Sequence, residues 1–148
     1  KLTGLSPVPV EIDICPGEAN GYFSSMENRI VLRPGMSQIQ TVKTLVHEIA
    51  HAKLHDTKNI PPEERKQRRE KEVEAESIAY VVCQHFGIDT SEYSFGYVAG
   101  WSRGKEMNEL KSSLDQIHST AGEIIATLDD TCMVHTQVKS KPTPQFAR

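Results

Sequence analysis

The chain has 148 residues, 37% of them hydrophobic and 25% charged, with a formal net charge of −3. That length suits one globular domain, and the mild acidity offers no basic face for nucleic acid. No apolar run approaches the roughly 20 residues a membrane helix needs, and no signal-peptide pattern opens the chain, so neither a membrane nor a nucleic-acid partner is expected.

Cys15, Cys83 and Cys132 are odd in number, widely spaced and free of any CxxC pair, which argues against a zinc ribbon or a disulfide framework. Reduced thiols in a cytoplasmic protein are the expectation. A chain opening on Lys1 is expected to be part of a longer protein. The organisation expected is a single domain over 1–135 and a polar tail over 136–148 carrying Pro142 and Pro144.

In chain order, Val10-Glu11-Ile12-Asp13-Ile14 alternates as a half-buried strand does, and Pro16-Gly17 stops it. Residues 21–26 and 29–33 flank Glu27-Asn28, the pattern of a hairpin. Ser37 is a predicted N-cap for a helix running to about His55, with Ile39, Val42, Val46 and Ile49 at helical spacing. Pro61-Pro62 is expected to open a second helix that ends at Gly87, with Cys83 as core filling. A third helix is expected over 105–128, through Met107, Leu110, Leu114, Ile117, Ile124 and Leu128. The class is α+β, a small antiparallel N-terminal sheet packed on helices.

The chemistry is concentrated in His47-Glu48-Ile49-Ala50-His51. Residues four apart on a helix share a face, so His47 and His51 can each offer one ring nitrogen to the same ion. Glu48 can then reach a water at that ion as general base without binding the metal itself. Such a zinc site needs a third protein ligand. His55 lies eight residues from His47, about 12 Å along a regular helix, and cannot share the ion. It reads more readily as a solvated histidine at a helix end than as a hydrogen-bond partner of an acidic neighbour or of the groups behind the metal ligands.

Glu70, Glu72, Glu74 and Glu76 on the second helix are the remaining candidates. Glu72, Ala75, Glu76 and Ala79 form a face with small residues that lets two helices approach, which favours Glu72, with Glu76 one turn on as the alternative. Glu70 and Glu74 read as a solvated face. So does the mixed-charge run 63–71. Tyr93, Tyr97 and Trp101 read as core plugs more readily than as cleft or oxyanion residues.

The segment Glu72-Val73-Glu74-Ala75-Glu76 resembles the ExxxD-type motif of gluzincin metallopeptidases. The resemblance implies a zincin-like helical core, with Glu72 as the third zinc ligand and Glu76 supporting a histidine ligand in place of the more usual Asp. Together with His47 to His55 it is similar to the ImmA/IrrE-type metallopeptidases. With Ser94-Phe95-Gly96-Tyr97-Val98-Ala99-Gly100-Trp101 added, it looks most like the C-terminal peptidase-like domain of ArdC/LtrC-type proteins of plasmids and conjugative elements.

The reading is a zinc-dependent peptidase with one zinc per chain held by His47, His51 and Glu72. Its general base is Glu48, and its substrate is a protein or peptide. An extended substrate is expected to add to the sheet along Arg29–Arg33. The alternatives are a zinc-stapled, antirestriction-type interaction module without turnover, and a metal-dependent hydrolase acting on a non-peptide bond.

Overall fold

The computed structural model describes residues 2–17, 19–89 and 107–139. Among the described residues, three strands, β1 (Val10–Ile12), β2 (Gly21–Ser24) and β3 (Arg29–Leu32), precede three α-helices. These are α1 (Gln38–Leu54), α2 (Arg68–His85) and α3 (Met107–Lys139). The α+β class holds.

The sheet differs from the expected antiparallel one. Its order is β1-β3-β2, with β2 antiparallel and β1 parallel to β3, so the sheet is mixed. The reason lies in Ile30-Val31-Leu32, an unbroken apolar run that is fully buried. A strand covered on both faces reads as continuous rather than alternating hydrophobicity, and it belongs in the middle. The Arg29 guanidinium bonds Glu11 at 2.6 Å and Glu27 at 2.7 Å, pinning β1 beside β3. Between β2 and β3 the turn closes through Asn28 at φ 57°, a left-handed conformation that Asn tolerates.

Ser37 caps α1 as expected, its Oγ accepting the Gln40 N–H at 3.1 Å. The buried side of α1 carries Leu45, Val46, Ile49 and Ala50, while Ile39 stays exposed. The second helix starts later than predicted. Pro62–Glu64 form only a 3-10 turn, closed by the Arg65 N–H on Pro62 O. Arg65 then folds back, donating to the carbonyls of Ile60 and Thr57 at 3.0 Å, and the chain stays extended at Arg65 and Gln67. Helix α2 ends as expected. Gly87 adopts φ 80°, and the Ile88 N–H returns to Cys83 O, a left-handed cap.

Helix α3 continues past the expected end at Leu128, to Lys139. Its buried side is Ser113, Ile117, Thr120, Ala121 and Ile124, whereas Leu114 is 54% exposed. Ala75, Ala79, Ile78 and Val82 of α2 share one core with α1, α3 and the sheet. The middle helix is therefore covered on two sides.

Strand β2 crosses close over α1. A Cβ placed at Gly21 would lie 2.8 Å from Thr44 Cγ2 and 3.0 Å from Val31 O. Gly21→Ala should therefore cost about 1–3 kcal/mol, the usual cost of overpacking, and Thr44→Ser in that background should recover part of it. Urea denaturation of the two variants checks this, and an unchanged Gly21→Ala midpoint would refute the close approach.

Candidate metal centre

Helix periodicity sets the site. His47 and His51 project from one face of α1, and Glu72 and Glu76 from the facing side of α2, where Ala75 and Ala79 keep the axes near. His47 Nε2 and His51 Nε2 are 3.2 Å apart. Glu72 Oε1 lies 3.2 Å from His47 Nε2, and Glu72 Oε2 lies 3.0 Å from His51 Nε2. These three residues form the one His/Cys/Asp/Glu group among the described residues whose ligand atoms all fall within 4.8 Å of one another. Tetrahedral zinc with bonds of about 2.0–2.1 Å has ligand–ligand edges of about 3.3 Å, so the donor set fits that ion.

Each histidine is held from behind. His47 Nδ1 donates to Glu76 Oε1 at 2.7 Å, and Lys43 Nζ bonds the other Glu76 oxygen at 2.7 Å. Glu76 is fully buried. The expectation that this Glu could stand in for Asp behind a histidine matches the geometry. His51 Nδ1 faces His55 Nδ1 at 2.9 Å, and His55 Nε2 faces Glu74 Oε1 at 2.8 Å.

Here the solvated readings of His55 and Glu74 are corrected. His55 is 7% exposed and Glu74 is fully buried. Glu74 is satisfied by His55, by Lys66 and by Ser113 Oγ at 2.8 Å, and Lys66 is itself held by Gln116 of α3. His55 and Ser113 lie 19 and 39 residues from Glu74 and Lys66 lies 8 away, all outside the three- and four-residue spacings that mark neighbours on a helix. His55 is too far from His47 along a regular helix to share an ion with it. Its partner is His51, one turn away, and His55 sits at the helix C-cap with its N–H on His51 O at 2.7 Å.

Glu48 is 7% exposed and lines a cleft of about 550 Å³ together with His47, His51, Glu72 and residues of β2. Among the described residues it makes no hydrogen bond. Burial pushes its carboxyl above the usual range, with His47 and His51 pulling partly the other way. Burial opposes a charge on His47 too, but the Glu72 and Glu76 carboxylates outweigh it and raise its pKa to about 9. For Glu72, burial works upward, yet the two histidines hold it well below the carboxylate range. Burial lowers the pKa of His55, with Glu74 acting against it.

His118 and His85 are exposed, the latter facing Asp129 at 3.2 Å, and neither reaches the cluster. Tyr93, Tyr97 and Trp101 lie outside the described residues.

The His47 shift has a sign that can be checked on the metal-free chain. Its folded pKa of about 9 stands above the ordinary 6.5. The stability it contributes is thus fully present below pH 6.5 and lost as the pH rises through 9. Urea denaturation of metal-free protein should show stability falling across that window, and His47→Asn should flatten the slope. A wild-type chain equally stable at both ends would contradict the assignment.

Over residues 15–97 the chain matches the Peptidase M78 family, described as an IrrE N-terminal-like domain. An uncharacterized protein of Bacillus anthracis is 36% identical over 107 residues, which cover 68% of this chain and 17% of that relative. The chain thus spans about a sixth of that protein's length. No solved structure is significantly similar. With its HExxH helix and the facing glutamates inside the matched span, the chain belongs to the Peptidase M78 family of IrrE N-terminal-like domains.

Proposed function

We propose that the domain is a zinc-dependent peptidase of the gluzincin type, with His47, His51 and Glu72 as ligands and Glu48 as general base. One observation carries the reading. Three convergent donors stand beside a buried carboxylate that has no hydrogen-bond partner among the described residues. Buried polar groups are ordinarily paired, so an unpaired carboxylate facing a cleft calls for a reactive partner. A zinc that merely stapled the fold would give Glu48 no work.

Zinc, when bound, supplies Lewis acidity that lowers the pKa of water toward about 7 and polarises a carbonyl. Glu48 accepts the proton of the attacking water, helped by the burial that raises its basicity, and returns it to the leaving amine. Glu76, itself held by Lys43, accepts the His47 Nδ1 proton and so turns Nε2 toward Glu72 and the cleft.

The substrate strand is assigned differently from the sequence expectation. Arg29–Leu32 is the central strand and has both edges occupied, so it cannot accept another. β2 is the edge that lines the cleft, through Gly21, Tyr22 and Phe23, and an extended peptide is proposed to add there. A protein or peptide substrate and a cytoplasmic setting complete the proposal. Among the described residues, no helix is long and apolar enough to cross a membrane. The mobile-element context, of the ArdC/LtrC type, rests on the likeness of Ser94–Trp101.

Elemental analysis of protein expressed in zinc-replete medium should find about one zinc per chain. Glu72→Ala should lose most of it and melt lower in zinc, since ligand loss removes the stabilisation that metal binding adds. Glu48→Gln should keep zinc and melting temperature while peptide hydrolysis falls by orders of magnitude. Full zinc in Glu72→Ala with loss in Glu76→Ala would place the ligand one turn later. Retention of the biological effect by Glu48→Gln would favour an interaction module.

A further inference from the structure

The chain His51–His55–Glu74 is not needed to explain the donor set, yet it is among the most deeply buried polar arrangements in the molecule. Its direction can be read from the partners. Glu74 is an acceptor held by Lys66 and Ser113 Oγ, so the His55 nitrogen 2.8 Å away, Nε2, carries a hydrogen. In a neutral imidazole the other nitrogen then has only a lone pair. His55 Nδ1 lies 2.9 Å from His51 Nδ1, and a contact between two ring nitrogens needs one hydrogen. That hydrogen belongs to His51. With Nδ1 protonated, the lone pair of His51 is on Nε2, the atom that meets His47 Nε2 and Glu72 Oε2.

We infer that His55 is a positioning residue for the metal centre: anchored by Glu74, it accepts the Nδ1–H of His51 and so fixes the tautomer that presents His51 Nε2 to the ion. The two histidine ligands are thereby set by different devices. His47 donates directly to a carboxylate, Glu76. His51 reaches its carboxylate, Glu74, only through a second imidazole. The anchor of that relay is shared with α3, because Ser113 bonds Glu74 and Gln116 holds Lys66. Helix α3, which supplies no ligand, therefore bears on the orientation of one.

This rests on the zinc reading above, and two conservative variants separate the two. In His55→Asn the amide oxygen takes the place of Nδ1 and can still accept from His51, but the contact with Glu74 is lost. In His55→Gln the amide nitrogen takes the place of Nε2 and can still donate to Glu74, but the acceptor for His51 is lost. Zinc affinity, measured by competition with a chelator, should fall about 10–100-fold in His55→Gln, the usual cost of losing a group behind a ligand. It should stay within a few-fold of wild type in His55→Asn.

The melting temperature of the metal-free chains should rank the other way, with His55→Asn lower because buried Glu74 has lost a partner. A purely structural role predicts one order for both readouts. Finding zinc affinity and melting temperature in the same order would overturn the relay. In zinc-loaded wild type, nitrogen NMR should show His51 protonated at Nδ1 and metal-bound at Nε2, with His55 protonated at Nε2 alone. A protonated His55 Nδ1 would also overturn it. A wild-type chain that takes up no zinc would defeat the zinc reading, and the relay with it. Zinc uptake by wild type together with equal uptake by His55→Gln would defeat the relay alone.

Discussion

Four glutamates, Glu48, Glu72, Glu74 and Glu76, are buried or half-buried around the α1–α2 contact, and the architecture answers the need to compensate them. Removing a carboxylate from water costs several kcal/mol unless charge and hydrogen bonds replace the solvent. α2 meets this need on two sides at once. Its Glu72–Glu76 side turns to the histidines and lysine of α1, and Glu74 turns to His55, Lys66 and Ser113. The small residues Ala75 and Ala79 let the helices come close enough for such bonds to form. The apolar core and the polar cluster are thus one packing solution.

The hairpin is tied to the same body by polar contacts. Ser25 Oγ donates to buried Asp56 at 2.5 Å, and Lys58 Nζ bonds Asn28 Oδ1 at 2.8 Å. These join the turn after β2 to the segment leaving α1. Together with the close crossing at Gly21 they fix the height of the β2 edge above His47 and Glu48. The cleft therefore has a floor and a wall set by separate interactions.

Much of this was legible in the sequence wherever the signal was local. The Ser37 cap, the HExxH face, the Gly87 cap and the Glu72/Ala75/Glu76/Ala79 face each follow from spacing within one helix. What escaped was non-local. Glu74 and Glu70 look alike in sequence, and only Lys66, His55 and Ser113, drawn from three other places, make Glu74 a core residue. Leu114 has the hydrophobicity that ordinarily marks burial, yet its neighbour Ser113 is the buried residue, because its hydroxyl meets the Glu74 carboxylate. The strand order escaped because pairing with β1 is set by which strand is most apolar, not by which comes next.

The ion pairs of the cluster set an electrostatic balance. Lys43 is matched to Glu76 and Lys66 to Glu74, while the Glu48 and Glu72 carboxylates face a cleft that Arg68 and Lys71 also line. Two lysines from different parts of the chain in this way cancel the charge of the carboxylates behind the histidines, so a guest in the cleft would meet the charges of the cleft's own lining.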